Sequence, residues 1–373
     1  MSGKLDPQVL RERFGRYVVP DYVEPQRGGA GAVVSGPPRF VSVGGQPGAG
    51  KGGVLSDVQR SLPGAVIING DELRRFHPDY ARLMREEPLR MPEVTSPASG
   101  AWVGMATAYL RGQRISAVVE TTLRDAAMLG GEFEAFKAVG YKTELRVVAV
   151  PLEVSRAGIL SRYIEQVERS GTGRWTPGAA HDMAAANVRG TVHDLVASGV
   201  VDRVVVQNRE GRVFHDAVVS AGGREFGEVA ALAVDEARDV RSLSVEQARS
   251  WVEYTTDALH ARAWLGEVDA DVMRVVDRLA TRDAAAVVVQ AWPGDVARQR
   301  EALARLARAE GVVRAARFPD ASEAGGRTPG LTTAQRAATR KHLGEEIDRR
   351  LAERHQRPDG GGEVPYRERG RGR

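Results

Sequence analysis

Residues 40–53, FVSVGGQPGAGKGG, read as a short buried strand, a glycine-rich turn and the first turn of a helix. Gly45, Gly50 and Lys51 fit the phosphate-binding pattern G-x-x-x-x-G-K-S/T up to its last position. Glycines let successive backbone N–H groups turn inward around an anion, a conformation that side chains obstruct. The following helix aims its positive dipole end at the same anion, and Lys51 adds a full charge for a nucleotide's outer phosphates. Gly45, Gln46, Pro47, Gly48, Ala49, Gly50, Lys51 and Gly52 are therefore the candidate nucleotide site. The competing reading is a ligand-free turn, but such a turn has no need of a lysine at that place. Where the pattern has a Ser or Thr hydroxyl for magnesium, this chain has Gly52, followed by Gly53.

Outward from the loop, apolar runs alternate with helical stretches. The runs are Ala65–Ile68, ending in NGDE, then Ile115–Val119, Glu144–Val150 and Arg203–Gln207, the last followed by a turn at Asn208–Gly211. Between them lie helical patterns at Val54–Leu62, Ser99–Arg111, Glu132–Val139, Glu153–Arg169 and Pro177–Ser198. Strands separated by helices predict an α/β fold with a parallel sheet, and a phosphate loop after the first strand belongs to it. The interval Met84–Pro97, with three prolines, reads as irregular. After Arg224 long helical patterns take over, at Gly227–Arg238, Ser244–Ala263, Asp269–Ala280 and Asp295–Glu310. The expected fold is a P-loop kinase-like parallel sheet flanked by helices, with a helical C-terminal region. Its divisions are an N-terminal helix and linker at 1–38, the kinase unit at 39–224 and helices at 225–317. An Arg-rich, largely disordered tail follows at 318–373, with one helix between Thr332 and His355.

Composition excludes several classes. With no cysteine there are no disulfides and no thiolate nucleophiles or metal ligands. No run of about eighteen apolar residues predicts a membrane span. The first residues also lack the apolar core of a secretory signal, so a cytoplasmic protein is expected. The net charge of +4 sits in the tail, where residues 321–373 carry twelve Lys or Arg against eight Asp or Glu. The remainder is formally neutral, which is not the footprint of a nucleic-acid binder.

Phosphoryl transfer further needs a group to orient or deprotonate the attacking hydroxyl, and cations facing the moving phosphoryl. Asp71 closes the second apolar run, on the side of a parallel sheet where ligands bind, so it is a candidate base. The competing, less favoured reading is that it caps a helix beginning ELRRF. Glu120 ends the third run and could face magnesium or a substrate hydroxyl, or simply solvent. Arg162 and Arg174 flank the loop SGTG in the manner of a lid closing over a triphosphate. His77 reads as structural, and the seven histidines show no ligand pair at metal spacing.

In order, the chain carries GGQPGAGK (44–51), VIINGDELRRFHP (66–78), VVETTLR (118–124), AVP (149–151), SRY (161–163), RWTPGAAHD (174–182) and NREG (208–211). Over residues 40–216 this resembles the zeta toxin family, the kinase half of epsilon/zeta toxin–antitoxin systems. The resemblance implies phosphorylation of the 3′-hydroxyl of the amino sugar in UDP-N-acetylglucosamine, with ATP or GTP and Mg2+. It implies that Lys51 holds the β and γ phosphates and that Asp71 takes the sugar hydroxyl's proton. Glu120, Thr122 and Arg124 would contact the UDP-sugar, and Arg162 and Arg174 would neutralise the transferred group. An antitoxin protein is the implied partner, and cell-wall precursor synthesis the implied target. Two departures are Gly52 and Gly104, the latter standing where a substrate-facing carboxylate is expected. Alternatives are a P-loop kinase for another small substrate, or a degenerate relative that binds nucleotide without turnover.

Overall fold

The computed structural model describes residues 4–27, 36–88, 90–171, 173–219, 223–261 and 270–317, the side chains of 315–317 excepted. The tail at 318–373, its expected helix, most of the 28–38 loop and Thr172 of SGTG lie outside the described residues.

Five strands run parallel: β1 (Arg39–Gly44), β2 (Val66–Ile68), β3 (Ala117–Thr121), β4 (Lys142–Val148) and β5 (Arg203–Gln207). A sixth, β6 (Val213–Val218), returns antiparallel beside β5, giving the order β2-β3-β1-β4-β5-β6. The sequence reading left β6 out. Its residues, VFHDAV, are largely exposed, and Asp216 pairs with Arg203 across the ladder, so no apolar run marks it. β1 lies between β3 and β4, the point where chain connections leave in opposite directions and a crevice opens beyond the strand ends.

Alternation along β1 divides the core. Val41 and Val43 face a cluster with α2 (Lys51–Ser61), α7 (Leu152–Ser170), α10 (Val245–Leu259), α11 (Ala270–Arg278), α12 (Ala284–Ala291) and α13 (Val296–Arg317). Phe40 faces the other cluster, with α5 (Met91–Gly112), α6 (Ala126–Ala138), α8 (Gly178–Ala197) and α9 (Arg224–Arg238). There Phe40 stacks on Phe136 at 4.1 Å and meets Phe133 edge-on at 5.0 Å, pairs worth about 0.5–1.5 kcal/mol each beyond their burial. The helices from α10 onward therefore share one core with the phosphate-loop helix.

The proline-rich interval is helical from Met91, not irregular to Pro97. Pro92 occupies the first turn, where its missing N–H has no intrahelical partner to lose. Pro97 forfeits one bond inside the helix, and the buried row Ala98, Trp102, Ala106 and Leu110 holds it in place. The expected helix at Asp269–Ala280 ends at Arg278, a wider turn follows, and α12 continues where none was anticipated. That at Ser244–Ala263 stops at Leu259, and that at Asp295–Glu310 runs on to Arg317.

An N-terminal segment, α1 (Pro7–Arg13) continuing as a wider helix over Phe14–Val23, covers the β2 edge. Gln26 mimics a neighbouring strand there, accepting from Ile67 N at 3.0 Å and donating to Ile67 O at 3.1 Å. Among the described residues no helix is long and apolar enough to cross a membrane.

Candidate active site

The phosphate loop leaves β1 at Gly44 and closes on Gly50, which precedes α2 in the left-handed conformation at φ 87°. Gly48 is also left-handed, at φ 77°, and a Cβ there would collide with the carbonyl oxygen of Ser155. Only glycine fits either position. Gly50 supplies no side-chain cap, so the first amides of α2 remain available to an anion. Gln46 is fully buried and donates to Val150 O at 2.9 Å, while Ala49 N closes the turn on Gln46 O at 3.2 Å. Gly45 backs onto the Val148 carbonyl, and Pro47 lies between the two anchored residues. Gly52 and Gly53 sit in the first turn of α2, and a Cβ on Gly52 would meet nothing within 4 Å. The missing hydroxyl is therefore a property of the residue and not of crowding.

Lys51 is buried, with Nζ donating to Gly45 O at 3.0 Å and Gln46 O at 3.3 Å, and 3.6 Å from Glu120 Oε1. Burial lowers its pKa, Glu120 opposes that, and Arg162 adds to it. Such a lysine gains from a polyanion. Glu120 is held from its other oxygen by Asn69 Nδ2 at 2.8 Å.

Asn69 also decides a question the sequence left open. Its Oδ1 accepts from Asp71 N at 2.9 Å, so Asn69 caps the short helix α3 (Gly70–Leu73) and Asp71 does not. The Asp71 carboxylate is thereby free to face the crevice. It retains 43% of its side-chain exposure and is gripped by Arg74 Nε at 3.0 Å and by Arg174 at 2.6 Å. Its surroundings push the carboxyl up, but Arg174, Arg74 and Arg162 outweigh this and hold it below the usual carboxylate range. Arg162 donates to Thr176 Oγ1 at 2.7 Å, and its Nε is buried without an acceptor. Burial and Arg174 both lower its pKa, whereas Asp71 and Glu120 favour its charge. Among the described residues, Lys51, Arg74, Arg162 and Arg174 gather around the carboxylates of Asp71 and Glu120, an excess of positive charge that suits an anionic ligand.

Thr122 and Arg124 lie on the segment leaving β3, with Arg124 exposed. Leu123 between them has φ 53°, an uncommon conformation for a branched residue, and its side chain packs where Gly44 has no Cβ. Gly104 is exposed on α5 with open space beside it, so that departure stands. His77 is buried with Nδ1 accepting from Asp79 N at 3.1 Å, a structural role.

Three site residues escaped the sequence reading. Two are Asn69 and Arg74, which grips Asp71. The third is Arg209, which packs on Gly50 and donates to Gly48 O at 3.0 Å, with a buried Nε lacking an acceptor. The signal available for it was NREG following an apolar run, at the sheet end that carries the loop. As for magnesium, among the described residues no three His, Cys, Asp or Glu cluster as a ligand set. The residues fit an ion carried by nucleotide phosphates and water, with Glu120 as the nearest carboxylate to Lys51.

A family model described as Zeta toxin matches residues 32–219. A curated relative, Toxin zeta of Streptococcus agalactiae, is 29% identical over 180 residues, which cover 48% of this chain and 62% of the relative. Toxin PezT of Streptococcus pneumoniae serotype 4 is 28% identical over 181 residues, 48% of this chain and 72% of that protein. A solved structure from the PezAT chromosomal toxin–antitoxin system of that pathogen superimposes with a TM-score of 0.56 at 21% identity. It covers 69% of this chain and 99% of its own.

Proposed function

Since this chain belongs to the zeta toxin family, we propose that it is a nucleotide-dependent small-molecule kinase whose acceptor is the 3′-hydroxyl of the amino sugar of UDP-N-acetylglucosamine. One observation carries the reading. Asp71, Lys51, Glu120, Arg162 and Arg174 converge beside the phosphate loop, with more cations than carboxylates and a buried guanidinium nitrogen awaiting an acceptor.

In this reading the backbone N–H groups of the loop from Gly45 to Gly52, Pro47 having none, and the Lys51 ammonium bind the β and γ phosphates of ATP or GTP. Magnesium, carried in with the nucleotide, neutralises phosphate charge. Asp71, ionised and aligned by Arg74 and Arg174, accepts a hydrogen bond from the acceptor hydroxyl and orients its oxygen toward the γ-phosphorus. Arg162 and Arg174 offset the negative charge of the moving phosphoryl group. Glu120, Thr122 and Arg124 hold the UDP-sugar. Residues 39–224 form the kinase unit, and 225–317 complete its core. An antitoxin is the proposed partner, the cytoplasm the proposed location, and depletion of a cell-wall precursor the proposed effect.

The test is incubation with ATP or GTP, magnesium and a panel of UDP-sugars, with product read by mass. Expected is one added phosphate on UDP-N-acetylglucosamine with wild-type protein and none with Asp71→Asn. Transfer that survives Lys51→Ala would remove the loop from the mechanism, and preference for a different acceptor would reassign the substrate. Gly52 and Gly53 favour a second reading, a nucleotide-binding relative without turnover. It predicts nucleotide binding indifferent to magnesium and no toxicity on expression.

A further inference from the structure

Ser155 Oγ lies 2.9 Å from His181 Nε2, and His181 Nδ1 lies 2.9 Å from Asp182 Oδ1. In an open cleft that row would suggest a nucleophile, a base and an orienting acid. Here Ser155 and His181 are both fully buried, so no acceptor can reach the hydroxyl.

The ends of the row are more informative. At one end Gln46 of the phosphate loop approaches Ser155 Oγ at 3.4 Å. At the other, Asp182 accepts from Arg156 Nε at 3.3 Å and Arg278 at 2.8 Å, and Arg156 donates twice to Asp283 at 2.9 and 3.0 Å. Arg156 and Asp283 are buried. Arg278 closes α11 and Asp283 immediately precedes α12, both beyond residues 32–219. Burial lowers the pKa of His181 more than Asp182 raises it, so the ring is neutral near pH 7. Nδ1–H then donates to Asp182, and Nε2 accepts from the Ser155 hydroxyl, which also lies 3.1 Å from Leu152 O.

The loop also leans on the same helix through close backbone contact. A Cβ on Gly48 would strike Ser155 O, and one on Gly158 would strike Gly48 O. The position of α7 thus sets the position of the loop. From its far side α7 is fixed by Asp283 on Arg156 and by Trp251 of α10, whose Nε1 donates to Glu153 O at 3.0 Å.

We propose that Ser155, Arg156, His181 and Asp283 are positioning residues through which the helices after Arg224 hold the phosphate loop in its anion-binding conformation. Nucleotide affinity then depends on that helical region. The inference rests on residues 45–52 being the nucleotide site.

Two full-length variants test it. Ser155→Ala breaks the row without altering a buried charge. The paired change Arg156→Met with Asp283→Leu removes both charges together, so neither is left buried alone. Hydrogen exchange of residues 45–53 without nucleotide is the first readout, and affinity for a fluorescent ATP analogue with magnesium the second. Expected in both variants is exchange faster by about tenfold in the loop, with the core strands unchanged. The analogue Kd rises about fivefold or more, while kcat at saturating nucleotide stays within about twofold. Partial unfolding alone would lower kcat without moving Kd. Wild-type exchange and Kd in Ser155→Ala overturn the proposal, whether or not the paired variant folds. Faster loop exchange in a protein whose wild type binds no ATP analogue would support the positioning role and reject the nucleotide reading.

Discussion

Arg174 reaches across 103 positions of sequence to donate to Asp71 Oδ2 at 2.6 Å, opposite Arg74 on the other oxygen. In the proposed reaction this one arginine would both align the base and face the transferred phosphate. Arg174→Ala should reduce kcat by about 10³. A loss under tenfold in steady-state assays would reject the assignment. Because the folded-state pKa of Asp71 is depressed, its stabilisation is present above the unfolded value and lost only as pH falls through the lower folded one. Wild type should show no acid limb from Asp71 between about pH 5 and 8, and Arg174→Ala should move that limb upward.

Asn69 caps α3 through Oδ1 and steadies Glu120 through Nδ2. Asn69→Ala should cost about 1 kcal/mol of stability by the lost cap. It should also raise the KM for the proposed sugar acceptor through the released Glu120. Asn69→Asp keeps the cap but sets a carboxylate against Glu120, so stability should recover only in part and KM not at all. Equal recovery of both in urea titrations and kinetics would argue that only the cap matters.

Gly52→Ser places a hydroxyl where the phosphate-loop pattern has one, in space that is open. Half-saturating magnesium should fall severalfold, and helix propensity should add about 0.5 kcal/mol. Unchanged magnesium dependence with higher Tm would mean that the ion is held wholly by nucleotide and water.

Burial pushes Asp283 up to about 6 despite Arg156. A carboxyl raised above its unfolded value favours the folded state most at pH below that unfolded value, and the contribution is lost as pH rises through about 6. His181, lowered, acts in the opposite sense, losing its contribution as pH falls. Comparing wild type with Asp283→Asn isolates the first effect. The stability difference should shift toward wild type as pH drops from about 7 to about 4. A difference flat across that range in urea titrations would contradict the assignment.

The phosphate loop was legible because its glycines answer a backbone requirement that sequence states directly. Strands β1 to β5 were legible as apolar runs largely buried on both faces. β6 was not, since an exposed edge strand needs no such run. The opening of α5 was hidden by counting Pro92 as a breaker when its place in the first turn makes it harmless. Asn69, Arg209 and Asp283 were hidden for another reason. Each matters through a partner 51 to 161 residues away, and local pattern carries no distance.

The amide of Gln26, paired with both backbone groups of Ile67, has a consequence for self-association. β2 is three residues long and would otherwise offer an open template to a second chain. The N-terminal segment makes that edge unavailable. The β2 edge is thus closed by one glutamine that lies outside the family-matched region and takes no part in the proposed chemistry.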